Sequence, residues 1–284
     1  MSATATFGEA MPHRGRRIRL GYVSGNFGMH TVVQTHLLSV FGLHNAARFE
    51  VFCYALSPSD GSPYRKRVEA DCEHFATIAK RASASAAAAR IAGDGLDLLV
   101  DLDGYTQGGR PQIFAFRPAR VQCSYLGFPG TMGARFLDFL VTDRVASPPR
   151  LAHLYSERLA YLPHTYMVTE HRQSFTGVTT AHEMAPEVRD AQRAAAGLPL
   201  QPAVVFCAFH TQYKVTGAVF GVWMEILRRV PGSVLWLLKT KVGSVQRRLQ
   251  AVRPPLASTP IASCLRGAPP RSSTCSARPS PTSS

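Results

Sequence analysis

This sequence predicts an α/β fold built on a parallel sheet, on three observations. From Arg17 onward, short apolar, β-branched runs alternate with helical stretches, the pattern of stacked βαβ units. Glycine-rich turns follow several of those runs, where open α/β sheets place their ligands. After a polar interval the same alternation starts again near residue 203, so a second lobe is expected, only begun where the first is nearly whole.

In chain order, the first strand is expected over 18–24 (IRLGYVS), running into the turn GNFG. A helix over 34–43 leads to a strand over 49–56 (FEVFCYAL) and helices over 63–71 and 83–92. Strands follow over 96–103 (LDLLVDLD), 121–127 and 139–143, with a short helix over 111–116 between the first two. The polar text EHRQSFTGVTTAHEMAPE reads as a linker. Beyond it come a helix over 186–196, a buried strand over 203–210 (AVVFCAFH), a helix over 219–229 and a strand over 233–238. The expected organisation is a disordered leader over 1–16, a first lobe over 17–170, a linker over 171–190, the start of a second lobe over 191–250 and a disordered tail over 251–284.

That tail has no periodicity, no acid and almost no aliphatic residues, the composition of a disordered basic segment. One GC-rich choice of codons for residues 255–284, read two nucleotides further on, spells ARVDPDRLVFARRAPTEQHLQRSPVADLF. That text has an amphipathic helix pattern and a strand, so a frame-shifted translation is the sharper expectation.

Composition sets limits on function. With 45% apolar and 18% charged residues, the 284-residue chain can bury a core. It has no run of eighteen apolar residues, and its opening lacks the apolar centre of a secretory signal. A soluble, intracellular protein, cytoplasmic and/or nuclear, with no membrane partner is therefore expected. The six cysteines lie far apart without CxxC or CxxH spacing, so buried reduced thiols are expected, with neither a zinc site nor a disulfide framework. Of the net charge of +14, ten units fall in residues 201–284 and only four in the first 200. Because the basic residues of the first lobe are not interleaved with aromatics, a nucleic-acid partner is not expected.

Four segments at predicted strand ends carry possible chemistry. GYVSGNFGMHT delivers His30 just before a helix, although its glycines could simply permit the turn. DLDGYTQGGR offers Asp103 and Tyr105 as possible acceptor-side groups, although Asp-Gly is also an ordinary turn dipeptide. LGFPGTMG lacks the Lys-Ser/Thr pair of a phosphate-cradling loop. Its Gly127, Gly130 and Gly133 can still bring backbone N–H groups close to a ligand, with Pro129 fixing the loop. FHTQYK places Lys214 beside a helix start, where a full positive charge adds to the helix dipole and suits a phosphate.

These strings, with RPARVQCSYLGFPGTMGARFLDFLVTD, YSERLAYLPHTY and WMEILRRVPGSVLWLL, resemble in order the catalytic region of protein O-GlcNAc transferase and its Spindly-type relatives over roughly residues 17 to 250. The resemblance implies a GT-B architecture, two Rossmann-like lobes facing across a cleft, with UDP-GlcNAc as donor and a protein Ser or Thr as acceptor. It implies that Leu126, Gly127, Pro129, Gly130 and Thr131 lie against the donor sugar and that Lys214 meets the diphosphate. Thr211 and Gln212 would stand near the nucleotide, and His30 beside donor and acceptor as a candidate base. No metal or other cofactor is then required: Asp101 and Asp103 have Asp-x-Asp spacing but lie in the family's turn, not at a diphosphate site.

The departures matter too. The spacing from His30 to His36 is longer than the family's and lacks its proline. Asn26 stands for an aspartate, Thr211 for a glutamine and Ala92 for a histidine. The family's later His-Thr-Thr helix start and ribose aspartate are missing, as are upstream tetratricopeptide repeats, so little or no transferase activity is expected of this polypeptide. Fucose transfer from GDP-fucose in the Spindly manner, or a non-catalytic binding remnant, are the alternatives.

Overall fold

The computed structural model describes residues 15–174, 183–211, 214–238 and the backbone of 261–264. The chain divides into two compact units, Met1–Gly177 and Val178–Ser284.

The first unit is an open sheet of seven parallel strands in the order β3-β2-β1-β4-β5-β6-β7. They are β1 (Ile18–Ser24), β2 (Phe49–Ala55), β3 (His74–Thr77), β4 (Leu98–Asp101), β5 (Val121–Tyr125), β6 (Phe139–Thr142) and β7 (Arg158–Tyr161). Both faces are covered, as a parallel sheet requires. Alternate residues of β1 show it: Leu20 and Tyr22 enter one apolar cluster with Phe27, Val33 and Phe41, while Val23 enters the other with Tyr54, Ile91 and Leu99.

The helices start where local chemistry favours it. Helix α1 (Pro63–Asp71) opens on a proline, and the Ser62 hydroxyl accepts the Arg65 N–H at 3.1 Å. Helix α2 (Ala84–Ala92) is capped in the same way by Ser83, which accepts from Ala86 at 3.1 Å. Helix α3 (Gln112–Ala115) is a single turn.

The helix expected over 34–43 is different. Residues Val33–Leu37 form a π-type turn and Phe41–Leu43 a 3₁₀ turn. The cause is Glu170, from the segment that runs back after β7. Its N–H donates to the Thr35 carbonyl at 2.8 Å, and its carboxylate accepts the Ser39 N–H at 3.0 Å and the Ser39 hydroxyl at 2.7 Å. Both partners of the helical 35–39 bond are thereby taken, and the α-helical ladder cannot continue. The same segment accepts from His36 Nδ1 at the Val168 carbonyl, 2.6 Å away. Short α4 (His171–Ser174) closes this strap, inside the stretch expected to be a linker.

Two further expectations change. Cys53 of β2 and Cys72, which ends α1, form a disulfide across a Cα separation of 6.3 Å, where reduced thiols were expected. Their 19-residue spacing carries no motif; the return of α1 onto β2 brings them together. Strands β3 and β7 were not anticipated, being four-residue edge strands with no fully buried position.

In the second unit, α5 (Pro186–Ala195) precedes a parallel sheet ordered β10-β9-β8. Its strands are β8 (Val205–Ala208), β9 (Val234–Leu238) and β10 (Ile261–Cys264), the last within the expected tail. Helix α6 (Gly217–Arg229), capped by the Thr216 hydroxyl on the Val219 N–H at 3.3 Å, packs Leu227 against Leu235 and Leu237. The rest of the tail lies outside the described residues.

Candidate functional site

The chain winds outward from β1 through β2 to β3, then returns to lay β4 on the other side of β1. The crevice beyond the carboxyl ends of β1 and β4 is thus the topological switch point, the usual ligand position in open α/β sheets. Loops leave there from three neighbouring strands: 25–30 after β1, 102–110 after β4 and 126–136 after β5. His30, Asp103, Tyr105, Leu126, Gly127, Pro129, Gly130 and Thr131 all lie on them.

Asp103 ties the first two loops together. It is 3% exposed, and its carboxylate accepts the Ser24 hydroxyl at 2.8 Å, the Gly25 N–H at 2.5 Å and the Asn26 side-chain amide at 2.9 Å. Burial raises its pKa, against the pull of those three donors and of nearby His30. Its carboxylate, offered by the sequence as an acceptor-side group, thus accepts three hydrogen bonds from the end of β1 and the loop after it. Asp101 is also buried; its Oδ1 accepts the N–H groups of Asp103 and Gly104 at 3.0 Å and fixes the turn.

The second and third loops are clasped by Tyr105. Its ring meets Phe128 edge-on at 5.5 Å, and its hydroxyl donates to the Met132 carbonyl at 2.8 Å, yet the residue remains 57% exposed. Gly104, at φ +56°, leaves no room for a side chain beside Phe128, where a Cβ would come within 2.5 Å.

The third loop starts in strain. Leu126 has φ +71°, and the Gly127 N–H donates back to the Tyr125 carbonyl at 2.9 Å, a three-residue turn of the rare γ type. For a bulky residue this backbone costs roughly 1–3 kcal/mol and persists only where the surroundings impose it, most often at functional sites. Gly127 lies so close to the Leu102 carbonyl that any side chain would overlap it. Its N–H, expected to face a ligand, is taken by the turn. Thr131 anchors the loop's far side: its hydroxyl donates to buried Glu157 at 2.7 Å and accepts the N–H groups of Gly133 and Ser156 at 3.1 Å. Pro129 and Gly130 lie between these anchors, Pro129 exposed and Gly130 half-buried.

His30 is exposed at the end of its loop, with its carbonyl accepting the Gln34 N–H at 2.9 Å and its Nδ1 facing the Val32 N–H at 3.4 Å. In the second unit, Thr211 and Lys214 are exposed, joined by a 3.1 Å bond from the Lys214 N–H to the Thr211 carbonyl, just ahead of α6. Gln212 lies outside the described residues. The Glu50, Glu73 and His74 side chains offer donor atoms within 4.8 Å of one another, far along the chain from these loops. Arg17 and Arg19 already pair with both of those carboxylates. Sequence reasoning missed Asp60 and Arg65, whose bonds to the first loop join groups 31 and 38 residues apart, with no periodic signal between them.

The pattern of glycosyl transferase family 41 matches residues 2–185 and 173–254 of the chain. Over 225 residues, 79% of this chain, it is 43% identical to an Arabidopsis thaliana protein named probable UDP-N-acetylglucosamine–peptide N-acetylglucosaminyltransferase SEC. It is 45% identical over 166 residues, 58% of this chain, to the Caenorhabditis elegans UDP-N-acetylglucosamine–peptide N-acetylglucosaminyltransferase. The chain spans 22% and 14% of the lengths of these relatives. Among solved structures, a K341M mutant of Thermobaculum terrenum O-GlcNAc transferase superposes with a TM-score of 0.66 at 27% identity, covering 85% of this chain and 44% of that one.

Proposed function

The chain belongs to glycosyl transferase family 41, and from that premise we propose that its residues bind UDP-GlcNAc and serve transfer of the sugar, with inversion and without a metal, to a protein serine or threonine hydroxyl, a reaction of which this polypeptide by itself performs little or none. The acceptor oxygen attacks the anomeric carbon, the bond from that carbon to the diphosphate oxygen breaks, and the hydroxyl proton passes to a base, for which His30 is the candidate. Negative charge grows on the departing UDP. Lys214 and the start of α6 supply positive charge for it, one full and one partial. The loop from Leu126 to Thr131 backs the sugar, Tyr105 stands toward the acceptor, and Thr211 and Gln212 stand near the nucleotide.

The observation that carries this reading is the γ-type turn at Leu126, a strained backbone held at the tip of β5 beside the switch point. The SEC relative, at 43% identity, and the Petunia hybrida SPINDLY relative, at 28%, are both named as UDP-N-acetylglucosamine–peptide N-acetylglucosaminyltransferases, which supports GlcNAc as the sugar. Among the described residues no helix is long and apolar enough to cross a membrane. Cytoplasmic and/or nuclear protein acceptors fit the proposal.

Saturation-transfer NMR on the chain tests it, because that method reads weak complexes. UDP-GlcNAc should give transfer to its N-acetyl methyl group, and GDP-fucose should not compete. Lys214→Ala removes a charge-assisted contact worth about 1.5–3 kcal/mol and should weaken binding about 10- to 150-fold. Equal response to both nucleotides, or an unaffected Lys214→Ala variant, contradicts the proposal.

A further inference from the structure

The segment from Gly25 to His30 has no regular structure, so its backbone groups lack helix or strand partners. Side chains from three different elements supply them instead. From the tip of β4, Asp103 takes the Gly25 N–H together with the side chains of Ser24 and Asn26. From α1, Arg65 reaches the Phe27 carbonyl and the Ser57 carbonyl with one nitrogen, both at 3.3 Å. The Arg65 residue is 1% exposed and is itself fixed by Glu69 at 2.7 Å, Thr77 at 2.9 Å and the Phe75 ring at 4.5 Å. From the turn after β2, Asp60 takes the Met29 N–H at 2.7 Å and the Ser62 N–H at 3.0 Å.

Residues 24, 25, 26, 27 and 29 are thus each tied, and the last tie directly precedes His30. The two glycines of G-N-F-G have the same explanation. A Cβ on Gly25 would come within 2.5 Å of the Gly108 carbonyl oxygen, and one on Gly28 would overlap the Asp60 carboxylate. Gly28 is the space that lets Asp60 reach the backbone. Each side of this clamp uses a charged group, a carboxylate of Asp103 or Asp60 or the guanidinium of Arg65, and such charge-assisted bonds are roughly twice as strong as neutral ones.

We propose that Asp60, Arg65 and Asp103 are positioning residues that hold the loop presenting His30 in one geometry. The proposal rests on the reading of His30 as a site residue and assigns these three side chains no contact with substrate.

Asp60 is exposed, so its removal leaves the core intact, and it is the side to test. Hydrogen exchange on the full chain should show amides in peptides spanning 25–31 exchanging at least tenfold faster in Asp60→Ala. Gly28→Ala should do the same by displacing the carboxylate, and the double variant should exchange no faster than either single one. The His30 Cε1–H resonance should shift in all three under conditions where far-UV circular dichroism shows each variant fully folded, so that loss of general stability does not account for the change. Unchanged exchange in Asp60→Ala, additive effects in the double variant, or a His30 resonance that stays in place overturns the clamp. UDP-GlcNAc added to the unsubstituted chain separates this from the proposed function. If the variants behave as expected but the nucleotide leaves His30 unperturbed, the clamp stands and sugar transfer at His30 falls. If the nucleotide perturbs His30 but the variants change nothing, the clamp falls alone.

Discussion

Replacing Asp101 with asparagine should stabilise the first unit above pH 6 and leave its stability unchanged near pH 4. Asp101 is 2% exposed, and its Oδ1 holds two backbone N–H groups while Oδ2 has no hydrogen-bond partner. Burial lifts its pKa from 3.8 to about 6; the two N–H groups pull it down and Asp103 pushes it up. A carboxyl raised in this way keeps its proton in the folded state at pH values where the unfolded chain has released it. Its stabilising contribution is therefore complete below about pH 4 and is lost as pH rises through about 6. The difference of about 2 pKa units, at about 1.4 kcal/mol each, makes the ionised form cost about 3 kcal/mol at pH 7 and above.

Asparagine keeps the accepting oxygen and cannot ionise. It also brings N–H donors next to Ser124, whose buried hydroxyl lacks a partner and whose Cα pairs with Asp101 across the β4–β5 ladder. Urea unfolding of both proteins, followed by far-UV circular dichroism from pH 4 to 8, measures the effect. Trp223 and Trp236 both lie in the second unit, so tryptophan fluorescence follows that unit separately. The stability difference should grow from near zero at pH 4 to about 3 kcal/mol at pH 7–8. A difference that does not change with pH, or a variant less stable than its parent at pH 8, refutes the reasoning.

Three further outcomes are expected. Gly127→Ala drives a methyl group into the Leu102 carbonyl and should cost about 3 kcal/mol or more, read as a fall in Tm; an unchanged Tm means the loop does not sit there. Arg65→Ala strands the Phe27 and Ser57 carbonyls and empties a buried site, and should cost about 2–4 kcal/mol in urea unfolding; an unchanged midpoint would contradict it. Peptide mapping without reductant should recover residues 53 and 72 linked, and reduction should lower stability by about 3 kcal/mol for a loop of 19 residues; two freely alkylated thiols would contradict the pairing.

Much of the first unit could be read from the chain because its strands are buried on both faces. β1 and β2 are each buried over their last five residues, and their boundaries agree with expectation to within one residue at either end. α1 agrees fully, since a serine cap followed by proline is a local signal. The features that escaped prediction depend on partners distant in sequence. The π-type turn at Val33–Leu37 exists because Glu170 takes both groups of a helical bond, and 131 residues separate Glu170 from Ser39. The Cys53–Cys72 bond likewise required knowing where α1 returns. In the site, the glycine loops were visible and their reason was not. Gly127 and Gly28 are small because a carbonyl and a carboxylate of the protein itself press against them. A strand-end acid such as Asp103 is visible in the sequence, but its burial among Ser24, Gly25 and Asn26 is not.

The most direct single measurement is the set of nuclear Overhauser effects between bound UDP-GlcNAc and side chains labelled in this chain. Cross-peaks from the sugar ring and N-acetyl protons to the ring protons of exposed Pro129 are predicted. Sugar cross-peaks confined to residues outside the loops after β1, β4 and β5 would contradict the placement of the donor at the switch point.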